Sequence, residues 1–146
     1  LPETALSTDI IVGYPGETEK DFLETLDLLG TVRFANIFSF RYSPRPLTRA
    51  AELVDDVPLS EKRARLAAVQ EAQKAIQAED NARRVGQVQK VLCLGRGRKT
   101  PHLFSGRNEG HQVVNFASPD DCTGKFVTVK ISGSGPYSLR GERTSP

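Results

Sequence analysis

Apolar positions recur with a helical period in the first part of the chain and with a strand period in the last, and the change falls near Gly86. Asp9-Ile10-Ile11-Val12 is a short β-branched run that stops at Gly13-Tyr14-Pro15-Gly16-Glu17-Thr18, which predicts a buried strand entering a tight turn. Thr18 is placed to cap a helix, with Glu19 and Asp21 in its first turn, where acids complement exposed N–H groups. Phe22, Leu23, Leu26 and Leu29 form its apolar stripe, and Gly30 is the expected stop. From Asn36 to Ser43, Phe38, Phe40 and Tyr42 alternate with Ser39 and Arg41, a strand that Pro44-Arg45-Pro46 must end. Strand, helix and strand make a βαβ unit with a parallel pair. Two strands cannot bury both faces of such a sheet, so further strands are expected before it. A long helix is predicted from Ser60, its expected N-cap, to Asn81, with Leu66, Val69 and Ile76 on one face and solvated charges on the others.

After Gly86 short β-rich runs alternate with turns: Val88–Leu94, His102–Arg107, Gln112–Phe116, Phe126–Ile131 and Tyr137–Leu139. In the fourth run Val127, Val129 and Ile131 share one face. Five such strands predict a small closed barrel of the OB type. The fold class is therefore α/β followed by all-β, with domains over 1–81 and 82–146.

Charge divides the chain at the same place. Residues 1–81 carry nine Lys/Arg and fourteen Asp/Glu, a net of −5, whereas residues 82–146 carry eleven and four, a net of +7. A basic barrel is suited to a polyanion. Its cations, Arg96, Arg98, Lys99, Arg107 and Lys130 among them, are interleaved with Phe104, Phe116, Phe126 and Tyr137. Cations hold phosphates and an exposed ring can stack on a base. Phe116 and Phe126 read equally as barrel core, which is the stronger expectation for both, and the charged Arg96–Lys99 loop also reads as merely solubilising.

No run approaches the roughly 20 apolar residues that span a bilayer, so no membrane partner is expected. Leu1-Pro2-Glu3-Thr4 has neither an initiator Met nor an apolar leader, and it reads as the edge of a longer protein. Cys93 and Cys122, far apart, fit no metal spacing and no disulfide framework; they read as small buried residues, and a cytoplasmic location follows by default.

The turn Gly13–Glu17 sits where α/β sheets bind ligands, at the carboxyl end of a parallel strand. Two glycines admit a close approach, and Glu17 could accept from an amine or hydroxyl. By themselves these residues read more readily as a tight βα turn without a ligand.

Five segments taken in order change the weight of that turn: TDIIVGYPGETEKDFLETLDLL, FSFRYSPRPLTRAAEL, KRARLAAVQEAQKAI, FSGRNEGHQVVNF and GKFVTVKISGSGPYSLRGE. Along almost its whole length the chain resembles the C-terminal part of the radical S-adenosylmethionine methylthiotransferases, and within them the branch that modifies isopentenylated adenosine in tRNA. The resemblance implies the last strands and helices of a TIM-like radical-SAM barrel, followed by a TRAM domain that holds RNA. It implies a transferase that adds a methylthio group to C2 of N6-isopentenyladenosine beside the anticodon, using S-adenosylmethionine and [4Fe–4S] clusters. Its GFPGET loop matches Gly13 to Thr18 with Tyr14 for Phe, making Gly13, Pro15, Gly16 and Glu17 cofactor-pocket candidates. Its YSPRPGT stretch matches Tyr42 to Thr48 with Leu47 for Gly. Leucine avoids φ > 0, so this loop is expected to differ. The RNA-binding candidates are Arg45, Arg96, Arg98, Lys99, Arg107, Asn115 and Lys130, Arg107 and Asn115 lying in the TRAM motif GR…N..V.F.

The family's cluster-binding CxxxCxxC triad does not occur in the chain, so its cluster ligands are expected upstream, and the chain alone is expected to be inactive. The implied partner is a tRNA anticodon stem-loop, held by a monomer. The alternatives are a fragment of a ribosomal-protein methylthiotransferase and a stand-alone RNA-binding module.

Overall fold

The computed structural model describes residues 4–97 and 103–144, and two compact units divide between Ile76 and Gln77. In the first unit, β1 (Ser7–Val12), α1 (Glu19–Val32) and β2 (Asn36–Arg41) form the expected βαβ unit. The strands run parallel, in register from Ser7↔Asn36 to Val12↔Arg41. α2 (Leu59–Ala82) begins in this unit. Val12, Phe22, Leu29, Val69 and Ile76 are the buried core, with Ile10, Leu26, Ile37 and Leu66 packed around them. The other face of the two-stranded sheet, carrying Ile11, Phe38 and Phe40, is more than half exposed.

Local sequence signals account for most of the boundaries and miss some. Thr18 caps α1 through a full capping box: its hydroxyl accepts from Asp21 N–H, and the Asp21 carboxylate accepts from Thr18 N–H. The expected stop at Gly30 is not used. Arg33 takes the left-handed conformation (φ 53°) instead and donates its N–H to Leu29 O. A glycine permits that conformation but does not impose it. Ser60 is not the cap of α2. Helical bonding already starts at Pro58, whose carbonyl accepts from Lys62 N–H, so Ser60 is the second helical residue. β2 ends at Arg41 rather than Ser43, since β1 offers no ladder beyond Val12. Tyr42 N–H still bonds Val12 O, and its ring turns inward, with its hydroxyl donating to Ala50 O.

In the second unit, β3 (Val88–Arg96), β4 (Leu103–Asn108), β5 (Val113–Ala117), β6 (Phe126–Ser134) and β7 (Leu139–Arg143) close into a five-stranded barrel in the order β3-β4-β5-β7-β6. All pairings are antiparallel except β5 with β7. Val91, Cys93, Phe104, Val114, Phe116, Cys122, Val127, Val129, Ile131 and Leu139 fill it. Gly106 and Gly141 face this crowded interior. A Cβ on Gly106 would lie 2.4 Å from Leu92 O, and one on Gly141 2.4 Å from Lys130 O, so the strands cross closely only because both lack one.

Two expectations for the barrel are corrected. The last strand is Leu139–Arg143, not Tyr137–Leu139, because Gly135 to Ser138 form a turn closed by Gly135 N–H on Ser138 O. Phe126 is not core. It is 64% exposed, since Val127, Val129 and Ile131 take the inward positions and the period of two turns Phe126 outward. Phe116 is fully buried, stacked against Phe104 at 6.2 Å.

A buried amide chain steadies one end of the barrel. Asn81 donates to Gly135 O (2.8 Å) and Pro136 O (3.3 Å) and accepts from Gln112 (3.0 Å). Asn108 in turn donates to Gln112 and Gln89 (2.7 and 2.8 Å). Buried amides of this kind are stable only when their partners are all present. No described helix is long and apolar enough to cross a membrane.

Candidate cofactor loop and nucleic-acid interface

The turn after β1 folds back on its own donors. Gly13 (φ 69°) and Gly16 (φ 82°) both take conformations that L side chains avoid. Gly13 N–H donates to Glu17 Oε2 (2.6 Å), Gly16 N–H to Asp56 Oδ1 (2.8 Å) and Glu17 N–H to Tyr14 O (2.9 Å). The sequence candidates Gly13, Pro15, Gly16 and Glu17 are thereby held in one compact loop. Glu17 does not reach outward; its carboxylate closes the loop.

The residues that lock this loop come from α2. Arg65 donates to Glu17 Oε2 (2.5 Å) and Glu17 O (3.0 Å), pairs with Glu61 and lies 3.6 Å from Glu19. It is 3% exposed. Burial pulls its pKa down, but the hydrogen bond and charge of Glu17, with Glu61 and Glu19, more than offset this and hold it above its ordinary value. Lys62, also 3% exposed, pairs with Asp55 and sits 5.0 Å from the centre of the Tyr42 ring. Its stem lies where a Cβ on Gly13 would come within 2.3 Å, so Gly13 is required both by φ and by contact. Sequence reading put Lys62 and Arg65 among solvated charges. The missed signal is their spacing, for 62, 65, 69, 73 and 76 share one helical stripe with the core residues Val69 and Ile76.

Arg45 is exposed in the turn Arg45–Thr48, closed by Thr48 N–H and hydroxyl on Arg45 O. Leu47 stands there with φ 68° and is fully exposed. Leucine here takes the positive φ that it was expected to avoid. Pro46 followed by a positive-φ residue is the pattern of a type II turn, and the chain tolerates the strained leucine to make it.

On the barrel, the register carries Ser105, Asn115 and Arg140 side by side across β4, β5 and β7, on the outward face. Arg107 is one outward step along β4 from Ser105, and its guanidinium donates to His111 O (2.6 Å) across the β4–β5 turn. Arg107 and Asn115 are therefore brought together, and Arg140, absent from the sequence candidates, joins them. Its signal was the parallel β5–β7 pairing, which no local pattern reveals. Lys130 lies outward on β6, beside Val88 of β3 and Glu142 of β7. Arg96 ends β3, its guanidinium 3.4 Å from Asp121 and 5.5 Å from the Phe104 ring centre. Hydrogen bonds from Thr123, and then Arg96, hold the Asp121 carboxyl below its usual range. Arg98 and Lys99 lie outside the described residues.

Cys93 and Cys122 sit in the barrel core, and burial, reinforced by Cys122, pushes the Cys93 thiol up to about 11. Among the described residues no group of three His, Cys, Asp or Glu could hold a metal ion.

Residues 82–143 match the TRAM domain family. The chain is 46% identical over 144 residues to the tRNA-2-methylthio-N(6)-dimethylallyladenosine synthase of Syntrophobacter fumaroxidans, covering 99% of the chain and 32% of that protein. Proteins of the same name from Coxiella burnetii (46% over 141 residues, 97% of the chain and 32% of the protein) and Legionella pneumophila (46% over 140 residues, 96% and 31%) match in the same way. The chain spans about a third of the length of these curated relatives. It carries a TRAM domain and is, from end to end, similar to the C-terminal part of the tRNA-2-methylthio-N(6)-dimethylallyladenosine synthases.

Proposed function

We propose that this chain is the substrate-gripping part of a cytoplasmic, monomeric tRNA methylthiotransferase that acts on C2 of N6-isopentenyladenosine beside the anticodon. Residues 1–81 would complete a radical-SAM barrel of TIM-like form, and residues 82–146 would hold the anticodon stem-loop. The observation that carries this reading is the 46% identity maintained over both units with proteins named for that tRNA product. The same names favour tRNA over a ribosomal protein as the substrate.

The chemistry of the transfer would be supplied by S-adenosylmethionine and [4Fe–4S] clusters. Cluster iron needs thiolates, and the two cysteines here are core residues, one with a strongly raised pKa, so the chain does not fit a cluster. Its ligands would lie outside these 146 residues. The Gly13–Glu17 loop would form one side of a cofactor pocket. The N–H groups of Gly13, Gly16 and Glu17 are spent internally, so it would meet S-adenosylmethionine with carbonyl oxygens and the partly exposed Tyr14 ring. Such groups suit the cationic amine and sulfonium rather than the carboxylate.

RNA would be gripped by phosphate contacts from Arg107, Arg140 and the basic β3–β4 connection carrying Arg98 and Lys99, with Arg45, Arg96, Asn115 and Lys130 as further contacts. In OB-type barrels the face of the second and third strands, here β4 and β5, and the loop between the first and second bind oligonucleotides. Titrating the chain with an anticodon stem-loop at two salt concentrations tests the reading. With about five phosphates neutralised, the log–log slope is expected near −3.5 to −4.5. Equal affinity at both salts would overturn the electrostatic grip.

A further inference from the structure

The outward face of β3 and β6 adjoins Arg107, since Leu92 pairs with Arg107 of β4 on one side and with Phe126 of β6 on the other, and it carries an aromatic ring set among cations. Phe126, 64% exposed, pairs with Leu92, and Lys90 Nζ lies 4.7 Å from its ring centre. Next along β6 come Thr128 and Lys130, paired with Lys90 and Val88. Neither lysine has an ion-pair or hydrogen-bond partner among the described residues, and β3 and β6 present no acid outward; Glu142 of β7 is paired across from Lys130 without an ion pair between them. With the exposed Val88 and half-buried Leu92 on the same face, Phe126 forms a small apolar patch flanked by cations, the kind of surface that marks an interaction site.

We propose that Phe126 is a stacking platform for one unpaired RNA base, with Lys90 and Lys130 holding the phosphates that flank that nucleotide. Charge complementarity commits the face to this occupant. A ring offers every base a π-surface, and two unpaired ammonium groups on the same face supply the counter-charge a nucleotide needs. The cation–π contact with Lys90 fixes the ring's position before RNA arrives, and the ammonium can swing from ring to phosphate. This inference rests on the RNA-binding reading and adds to it a base contact, one strand removed from the backbone contact proposed for Arg107.

The chain has no tryptophan, so Phe126→Trp introduces a sole indole at the platform. Titrated with a single-stranded 12-nucleotide RNA, this variant should keep wild-type affinity and lose indole fluorescence as the RNA binds. Phe126→Leu should weaken binding roughly tenfold with an unchanged salt slope, because stacking and not a phosphate contact is lost. Lys90→Gln should flatten the log–log salt slope by about 0.7, one single-strand phosphate contact. If wild type binds the RNA while Phe126→Trp fluorescence and Phe126→Leu affinity stay unchanged, the platform is overturned and the RNA-binding reading stands. If wild type itself does not bind, that reading fails and the platform with it. If RNA binding is indifferent to Phe126→Leu but self-association of the wild type is abolished by it, the face is a protein interface and the proposal is wrong.

Discussion

Arg65 donates one guanidinium nitrogen to both the side chain and the main-chain carbonyl of Glu17, at 2.5 and 3.0 Å, across 48 positions of sequence. The carboxylate also accepts from Gly13 N–H, so a single buried cation anchors the group that closes the Gly13–Glu17 loop. Removing one member of a buried pair leaves the other's charge uncompensated. Arg65→Met is therefore expected to destabilise the first unit by about 3 kcal/mol. Glu17→Gln, which keeps an acceptor, should cost less. Urea unfolding followed by circular dichroism measures both. A loss below about 1 kcal/mol for Arg65→Met would mean that the loop keeps its shape without the guanidinium.

Leu47 sits at φ 68° with its side chain entirely in solvent. Left-handed backbone costs a non-glycine residue about 1–2 kcal/mol, and no packing is lost on removing this side chain. Part of the gain returns as added freedom of the unfolded chain. Leu47→Gly is expected to stabilise the chain by about 0.5–1 kcal/mol net. An unchanged or lower urea midpoint would contradict the strain assigned to this turn.

The Cys93 thiol ionises near 9.0 when unfolded and near 11 in the barrel core. A pKa raised by folding gives stability that is fully present below the unfolded value and lost as pH rises through the folded one. Barrel stability should therefore show a Cys93-dependent decline between pH 9 and 11. Tyrosines and lysines titrate there too, so the measurement is the difference between wild type and Cys93→Ala in urea midpoint at pH 8 and pH 10.5. The variant starts lower, having lost buried volume, and should fall less. Equal declines would place the thiol's ionisation outside the folding equilibrium.

Periodicity and punctuation were enough to lay out this protein. The βαβ unit, the Thr18 cap, five strands after Gly86 and the acidic–basic split were all legible, because each depends on residues near one another in sequence. The matched motifs located the Gly13–Glu17 loop and the Arg107–Asn115 pair for the same reason. Three kinds of fact were not legible. Whether a polar side chain on a helix is solvated or buried depends on what packs over it, and Gly13 and Glu17, distant in sequence, are what cover Lys62 and Arg65. Which outward residues become neighbours depends on barrel closure, and Arg140 reaches Asn115 only through the parallel β5–β7 pairing. Whether an aromatic fills the core depends on which face of its strand packs inward, and with Val127, Val129 and Ile131 taking that face, Phe126 is left on the surface beside Lys90. Local chemistry determined the elements and their order. Long-range packing alone decided which charges are buried and which are presented.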